Sequence, residues 1–155
     1  MAGGQDIGYF QTEADCIDLK IVDGDLAPDN GLETAVLVSL WSDRYVQPED
    51  LPNEAEDPRG WWADAISDPP EDRIGSRIWL FYRGKITTDA AVGIRSAILE
   101  ALDWMREEGI AVTINVTTQV IANTRIDFDV QIFKPSGDDI PFKFAWDGQE
   151  LKRTA

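Results

Sequence analysis

Residues 110–146 read IAVTINVTTQVIANTRIDFDVQIFKPSGDDIPFKFAW, and the period of this stretch decides the fold. Ile110, Val112, Ile114 and Val116 alternate with Ala111, Thr113 and Asn115, and the pattern continues weakly to Ile121. Asn123-Thr124 turns the chain. Ile126, Phe128, Val130 and Ile132 then alternate with Asp127, Asp129 and Gln131. After Pro135-Ser136-Gly137-Asp138, Ile140, Phe142, Phe144 and Trp146 stand opposite Pro141, Lys143 and Ala145. Period two in three successive segments predicts an antiparallel meander with one apolar face. That face needs a cover, and the preceding sequence supplies two helices for it.

The clearer helix is predicted over Asp89–Glu108, capped by Thr87 or Thr88 and stopped at Gly109. Ala90, Ile94, Ala97, Ile98, Ala101, Leu102 and Met105 recur at helical spacing, a core stripe. The other is expected over Leu32–Tyr45, capped by Asp29 or Asn30, with apolar residues wide enough for burial on more than one side. Before it, Ile17–Val22 alternates as a strand, Asp23-Gly24 marks a turn, and Asp25-Leu26-Ala27 returns. A calcium loop fails here, because Ala27 and Pro28 occupy the positions that need an oxygen ligand and a glycine. The expected fold is α+β: a two-layer antiparallel β meander against two main helices, with a long aromatic loop. Residues 1–14 are expected to be a flexible segment with Tyr9 and Phe10 as anchors, and 15–155 a single domain.

Composition narrows the chemistry. The 155 residues carry a net charge of −15, unevenly placed: residues 1–75 hold 18 acids against 4 bases, residues 76–155 hold 11 against 10. Such a field repels nucleic acid and anionic membrane and favours basic partners. Histidine is absent, so Ser-His and Cys-His nucleophile pairs and His-bearing zinc sites are excluded. Cys16 stands between Asp15 and Asp18, where negative charge discourages a thiolate, so an idle or buried thiol is expected. No signal peptide opens the chain, and Ala35–Trp41 is too short an apolar run to span a bilayer. A soluble protein made in a reducing cytoplasm is the expectation.

The loop from Val46 to Gly75 holds five of the eight prolines and has no period. Around its second half, Asp57–Arg83 concentrates Trp61, Trp62 and Trp79 with Arg59, Arg73, Arg77 and Arg83. Indole faces accept guanidinium stacking, and guanidinium forks to carboxylates. A self-packing loop is therefore predicted, with Arg59 or Arg77 closing onto Asp64 or Asp72: a satellite core, or a surface presented to a partner. Phosphate-binding and dinucleotide fingerprints are absent around Gly84-Lys85. A hydrolase using two carboxylates is the rival class, and Asp64 beside the indoles is the acid to inspect for a raised pKa.

Several blocks in order carry a resemblance. They are the Leu19–Ala27 hairpin, Gly31-Leu32-Glu33-Thr34-Ala35 opening a helix that ends Ser42-Asp43-Arg44, Arg59-Gly60-Trp61-Trp62-Ala63-Asp64, Gly75-Ser76-Arg77-Ile78-Trp79-Leu80, and Ala101-Leu102-Asp103-Trp104. In these the chain resembles the small baseplate wedge proteins of Mu-type contractile-tailed phages and prophages. It is more distantly similar to the lysozyme-like baseplate wedge, or sheath-initiator, family. Ala63 stands where a second glycine is expected, and Asp57-Pro58-Arg59 replaces that wider family's Glu-Pro-Arg triplet.

The resemblance implies a non-enzymatic structural protein of the virion tail baseplate, present in the host cytoplasm during assembly. Implied partners are other wedge proteins, the tail tube and sheath proteins, with no nucleic acid, membrane, small-molecule substrate, cofactor or metal. It also implies nucleation of sheath assembly by strand pairing; the rival is a peptidoglycan-degrading, lysozyme-like hydrolase. Arg59, Gly60, Trp61, Trp62, Asp64, Gly75, Ser76, Arg77 and Trp79 are the candidate interaction residues. Open strand edges invite another chain. The edges expected to be free are Cys16–Val22 and Ile140–Trp146, the second offering Phe142, Lys143, Phe144, Ala145 and Trp146 for pairing.

Overall fold

A computed structural model describes residues 32–51, 53, 57–60 and 74–154, together with six short strands before residue 30. In chain order these are β1 (Asp6–Ile7), β2 (Tyr9–Gln11), β3 (Ile17–Leu19), β4 (Ile21–Val22), β5 (Asp25–Leu26) and β6 (Pro28–Asp29). They pair as antiparallel ladders β1 with β6, β2 with β3, and β4 with β5. Val22 faces Asp25 across the last ladder, and the turn expected at Asp23-Gly24 lies outside the described residues. Contacts divide the chain into two units, Met1–Val38 and Ser39–Ala155, the division falling inside helix α1 (Glu33–Trp41). The expected boundary at residue 14 and Cys16 itself lie outside the described residues.

Helix α1 is shorter than its apolar run. Of the two expected caps, Asp29 is paired in β6 and Asn30 lies outside the described residues; the helix is entered through Leu32, whose φ is 63° and whose carbonyl accepts from the Val36 N–H at 3.0 Å. Its end is set from outside. Ser42 and Arg44 give their backbone groups to Ser76, so the chain leaves Trp41 extended rather than helical to Tyr45.

Helix α2 (Thr88–Leu102) starts where the cap chemistry places it: the Thr87 hydroxyl accepts from the Ala90 N–H at 3.1 Å. Its buried residues Ala91, Ile94, Ala97, Ile98, Ala101 and Leu102 match the stripe closely. The expected single helix to Glu108 is interrupted at Asp103, where bonds tighten to i→i−3, and resumes as α3 (Trp104–Glu107). Gly109, at φ 71°, ends it.

The second unit's sheet contains β7 (Thr113–Ile121), β8 (Arg125–Phe133), β9 (Asp139–Trp146) and β10 (Leu151–Arg153). All neighbours are antiparallel, in the order β10-β9-β8-β7. The inner face buries Ile114, Val116, Ile126, Phe128, Val130, Ile132, Phe142, Phe144, Trp146 and Leu151. Helix α2 packs on β7, and Trp41 meets Phe144 edge to face at 5.4 Å between ring centres. The fold is α+β, as expected from the meander and its helices.

Two departures refine it. Val112 is exposed and Ala111 buried, because Val112 precedes the strand and the alternation settles only from Thr113. More consequentially, Phe142–Trp146 is not a sheet edge. Asp147 accepts from the N–H groups of Gln149 and Glu150, Gly148 takes φ 93°, and the chain returns as β10. Leu151, Lys152 and Arg153 pair with Trp146, Ala145 and Phe144, and Thr154 N–H reaches the Lys143 carbonyl. The rims of this sheet are β7 and β10.

The Trp146 side chain is fully buried, yet its indole N–H has no partner among the described residues. A buried donor left unpaired costs about 1–3 kcal/mol. Trp146→Phe removes that donor along with some volume, and should change unfolding free energy by no more than about 1–2 kcal/mol. Trp146→Ala should cost about 3–5 kcal/mol. Urea denaturation of the two variants measures the contrast; equal losses would show that the indole N–H is satisfied.

Candidate functional site

Five residues that leave α1, Ser42–Val46, form an extended rib to which distant parts of the second unit attach. A chain in this conformation exposes N–H and C=O groups that must find partners. Ser76 supplies three bonds: its N–H donates to Ser42 O at 2.9 Å, its carbonyl accepts from Arg44 N–H at 3.0 Å, and its hydroxyl donates to Leu40 O at 2.7 Å. Pro58 O accepts from Val46 N–H at 3.1 Å, and the Trp79 indole donates to Arg44 O at 3.0 Å. The rib is thus fastened along one side by residues 76–79 and at its end by residues 58–60.

Glycine is required at both loop bases. Gly75 has φ 102°, and a Cβ there would lie 2.5 Å from Ser42 O. Gly60 has φ 95°, and a Cβ would lie 2.6 Å from the Tyr45 Cβ. Both combine a left-handed backbone with contact too close for any side chain. Arg59 also takes a positive φ, 57°, with its N–H received by the Asp57 carboxylate at 2.9 Å. This turn brings the Arg59 guanidinium 4.5 Å from the centre of the Trp79 ring and 2.6 Å from Asp43 Oδ2. Under it lies a small apolar cluster of Val46, Leu51 and Trp79, with Leu80 and Tyr82 packed against it.

A second charged junction holds the rib to α2. Glu100 receives Arg77 at 2.7–2.8 Å and Arg44 at 3.4 Å. Nearby, the Trp104 indole donates to the Ser39 hydroxyl at 3.1 Å. All three groups at Glu100 are partly solvated, so each pair contributes about 1 kcal/mol at most and the junction mainly sets geometry.

The structure therefore brings together Arg59, Gly60, Gly75, Ser76, Arg77 and Trp79. The arginines close onto Asp43 and Glu100; Asp64 and Asp72, the partners expected from sequence, lie outside the described residues, as do Trp61 and Trp62. Asp43 lay in a recognised block without an assigned role. Glu100 had no signal beyond its place on the polar side of an amphipathic helix. Among the described residues no group of three or more acidic or thiol side chains is gathered to hold a metal, and no helix is long and apolar enough to cross a membrane.

Burial, followed by the nearby Asp43 carboxylate, raises the Tyr82 pKa above its ordinary 10.0. A group whose folded pKa is raised contributes stability below its unfolded value and loses it as pH rises through the folded one. Unfolding free energy should therefore fall above about pH 10, and Tyr82→Phe should flatten that decline. Stability against pH from 8 to 11 for both chains tests this; identical slopes would remove Tyr82 as the cause. At the loop bases, Gly75→Ala and Gly60→Ala should each destabilise by at least about 1–3 kcal/mol. Ser76→Ala, which leaves Leu40 O without its hydroxyl donor, should cost about 1–3 kcal/mol. Thermal melts of the three variants provide the check; an unchanged Gly75→Ala would mean the base is not held on Ser42.

Comparison with known proteins follows the same residues. The profile of the family described as phage protein GP46 matches residues 32–139. Baseplate protein gp46 of Escherichia phage Mu is 36% identical over 121 residues, covering 77% of this chain and 81% of that protein. Mu-like prophage FluMu protein gp46 of Haemophilus influenzae (strain ATCC 51907 / DSM 11121 / KW20 / Rd) is 25% identical over 120 residues, with the same coverage. No solved structure matches the chain significantly. The matched span contains the rib, both loop bases and α2, and it bears out the resemblance to Mu-type phage proteins: the chain belongs to the phage protein GP46 family.

Proposed function

We propose that this chain is a non-enzymatic structural component of a contractile phage-tail baseplate, a wedge protein near the tube that starts sheath assembly by accepting a strand. The observation that carries this reading is its 36% identity, over 77% of its length, to a protein named as a Mu baseplate protein. The geometry supports it in two ways. The polar groups at the rib are committed to holding chain: Asp43 and Glu100 are each engaged by arginine. The sheet, in turn, offers a nine-residue rim in β7 that no other described strand covers.

Exposed rim N–H and C=O groups are the means by which one protein adds a strand to another, main-chain bonds giving affinity. The expected partners are sheath subunits, tube and neighbouring wedge proteins. The net charge of −15 favours a basic segment, so association should slow as salt rises.

Cells producing the parent tails without this chain should yield tubes lacking sheath, and the wild-type chain should restore them, as seen by electron microscopy. Thr118→Pro or Val120→Pro, which remove rim-facing N–H groups of the same parity as the Val116 carbonyl that Arg95 takes, should block restoration, with folding verified by circular dichroism. Complete sheathed tails made without the chain would overturn the proposal. Release of soluble fragments from peptidoglycan by the purified protein would favour the hydrolase instead.

A further inference from the structure

The two rims of the sheet are protected very differently. β10 is three residues long and carries Lys152 and Arg153. β7 runs for nine residues, TINVTTQVI, with no charged side chain. Short length and charge are the usual guards against unwanted pairing, and β7 has neither. Its open half also does little to fix a partner's register, because Thr stands on both faces there, at Thr117 and Thr118. A strand added here needs its register set by something other than β7.

Helix α2 supplies that something. Arg95 Nε donates to the Val116 carbonyl at 2.8 Å, so the helix occupies the middle of the strand. Beyond this point Thr117, Thr118, Gln119 and Val120 are all exposed, including the two on the inner face. Yet their cross-strand neighbours Phe128 and Ile126 are buried. The chain passes from α2 through α3 and Gly109 directly into β7, so earlier helix positions lie beside later strand positions. Val92, one turn before Arg95 on the same helix flank, therefore stands toward the open half, and it is 59% exposed.

We infer that Thr117–Ile121 together with Val92 and Arg95 form a register-reading site for an extended segment of a partner protein. The segment pairs with the open half of β7 and lays an apolar side chain on Val92. Arg95 stops it from sliding into Thr113–Val116. Its chemistry is apolar at alternate positions and cationic overall, matching the uncharged rim and the net charge of −15. The inference rests on the strand-accepting baseplate role proposed above, and Val92 and Arg95 are its specificity-determining residues.

The test compares amide hydrogen exchange of the full chain alone and in purified tails. Outward-pointing amides within Thr117–Ile121 should exchange at least tenfold more slowly in tails. Val92→Lys, a surface change that should leave the circular dichroism spectrum intact, should reduce incorporation at least tenfold in competition with wild type. Arg95→Ala should still enter tails, but protection should spread into Thr113–Val116, a shift that general loosening of the helix would not produce. Unprotected Thr117–Ile121 amides in tails that contain the chain overturn the inference and leave the baseplate role standing, as does undiminished Val92→Lys incorporation. Tails from which the wild-type chain is absent overturn the baseplate role first, and the inference with it.

Discussion

The backbone of Ser42–Val46 has to be hydrogen-bonded without belonging to a sheet, and the second unit is arranged around meeting that demand. Helix bonds end at Trp41, and the meander's own ladders begin only at Thr113. Partners come instead from two places farther along the chain, Ser76 directly after Gly75 and Pro58 two residues before Gly60, where the glycines let the backbones approach. Neutral bonds of this kind contribute about 1 kcal/mol each, while leaving them unmade when buried costs more. The asymmetry explains why the arrangement is all or nothing at Ser76, which is itself buried and makes three of the bonds.

Helix α2 connects this fastening to the sheet. Its apolar stripe packs inward, while Glu100 and Arg95 leave it on opposite flanks, about 140° apart at 3.6 residues per turn. Glu100 gathers Arg44 and Arg77 from the rib side; Arg95 reaches the rim of β7. One helix thus fixes a loop base on one flank and limits an open strand on the other.

Much of this was legible in the residues. The meander follows from strict alternation, since a half-buried strand has no other way to sort its side chains. Thr87 caps α2 because the hydroxyl needs only a neighbour three residues away. What failed to show was set by distant partners. The end of α1 depends on Ser76, whose hydroxyl bond to Leu40 spans 36 residues. β10 is too short for a period, so its three residues could not announce that Phe142–Trp146 would be covered. At the loop bases, Arg59, Gly60, Gly75, Ser76, Arg77 and Trp79 stood out by their unusual grouping. Their partners Asp43 and Glu100 are ordinary acids in an acidic chain, and nothing local separates them from the rest.

Gly60 and Gly75 sit against neighbouring residues of one rib, so the chain between them begins and ends at points the fold already holds close. Closing a longer segment between such points costs only the slowly growing entropy of a larger ring, about 0.6 kcal/mol for each doubling of length. As far as ring closure goes, then, added length between these two anchored points is a minor cost to the second unit, whereas the anchors themselves admit no change. A shift of even one residue in either glycine would instead set a side chain against the rib.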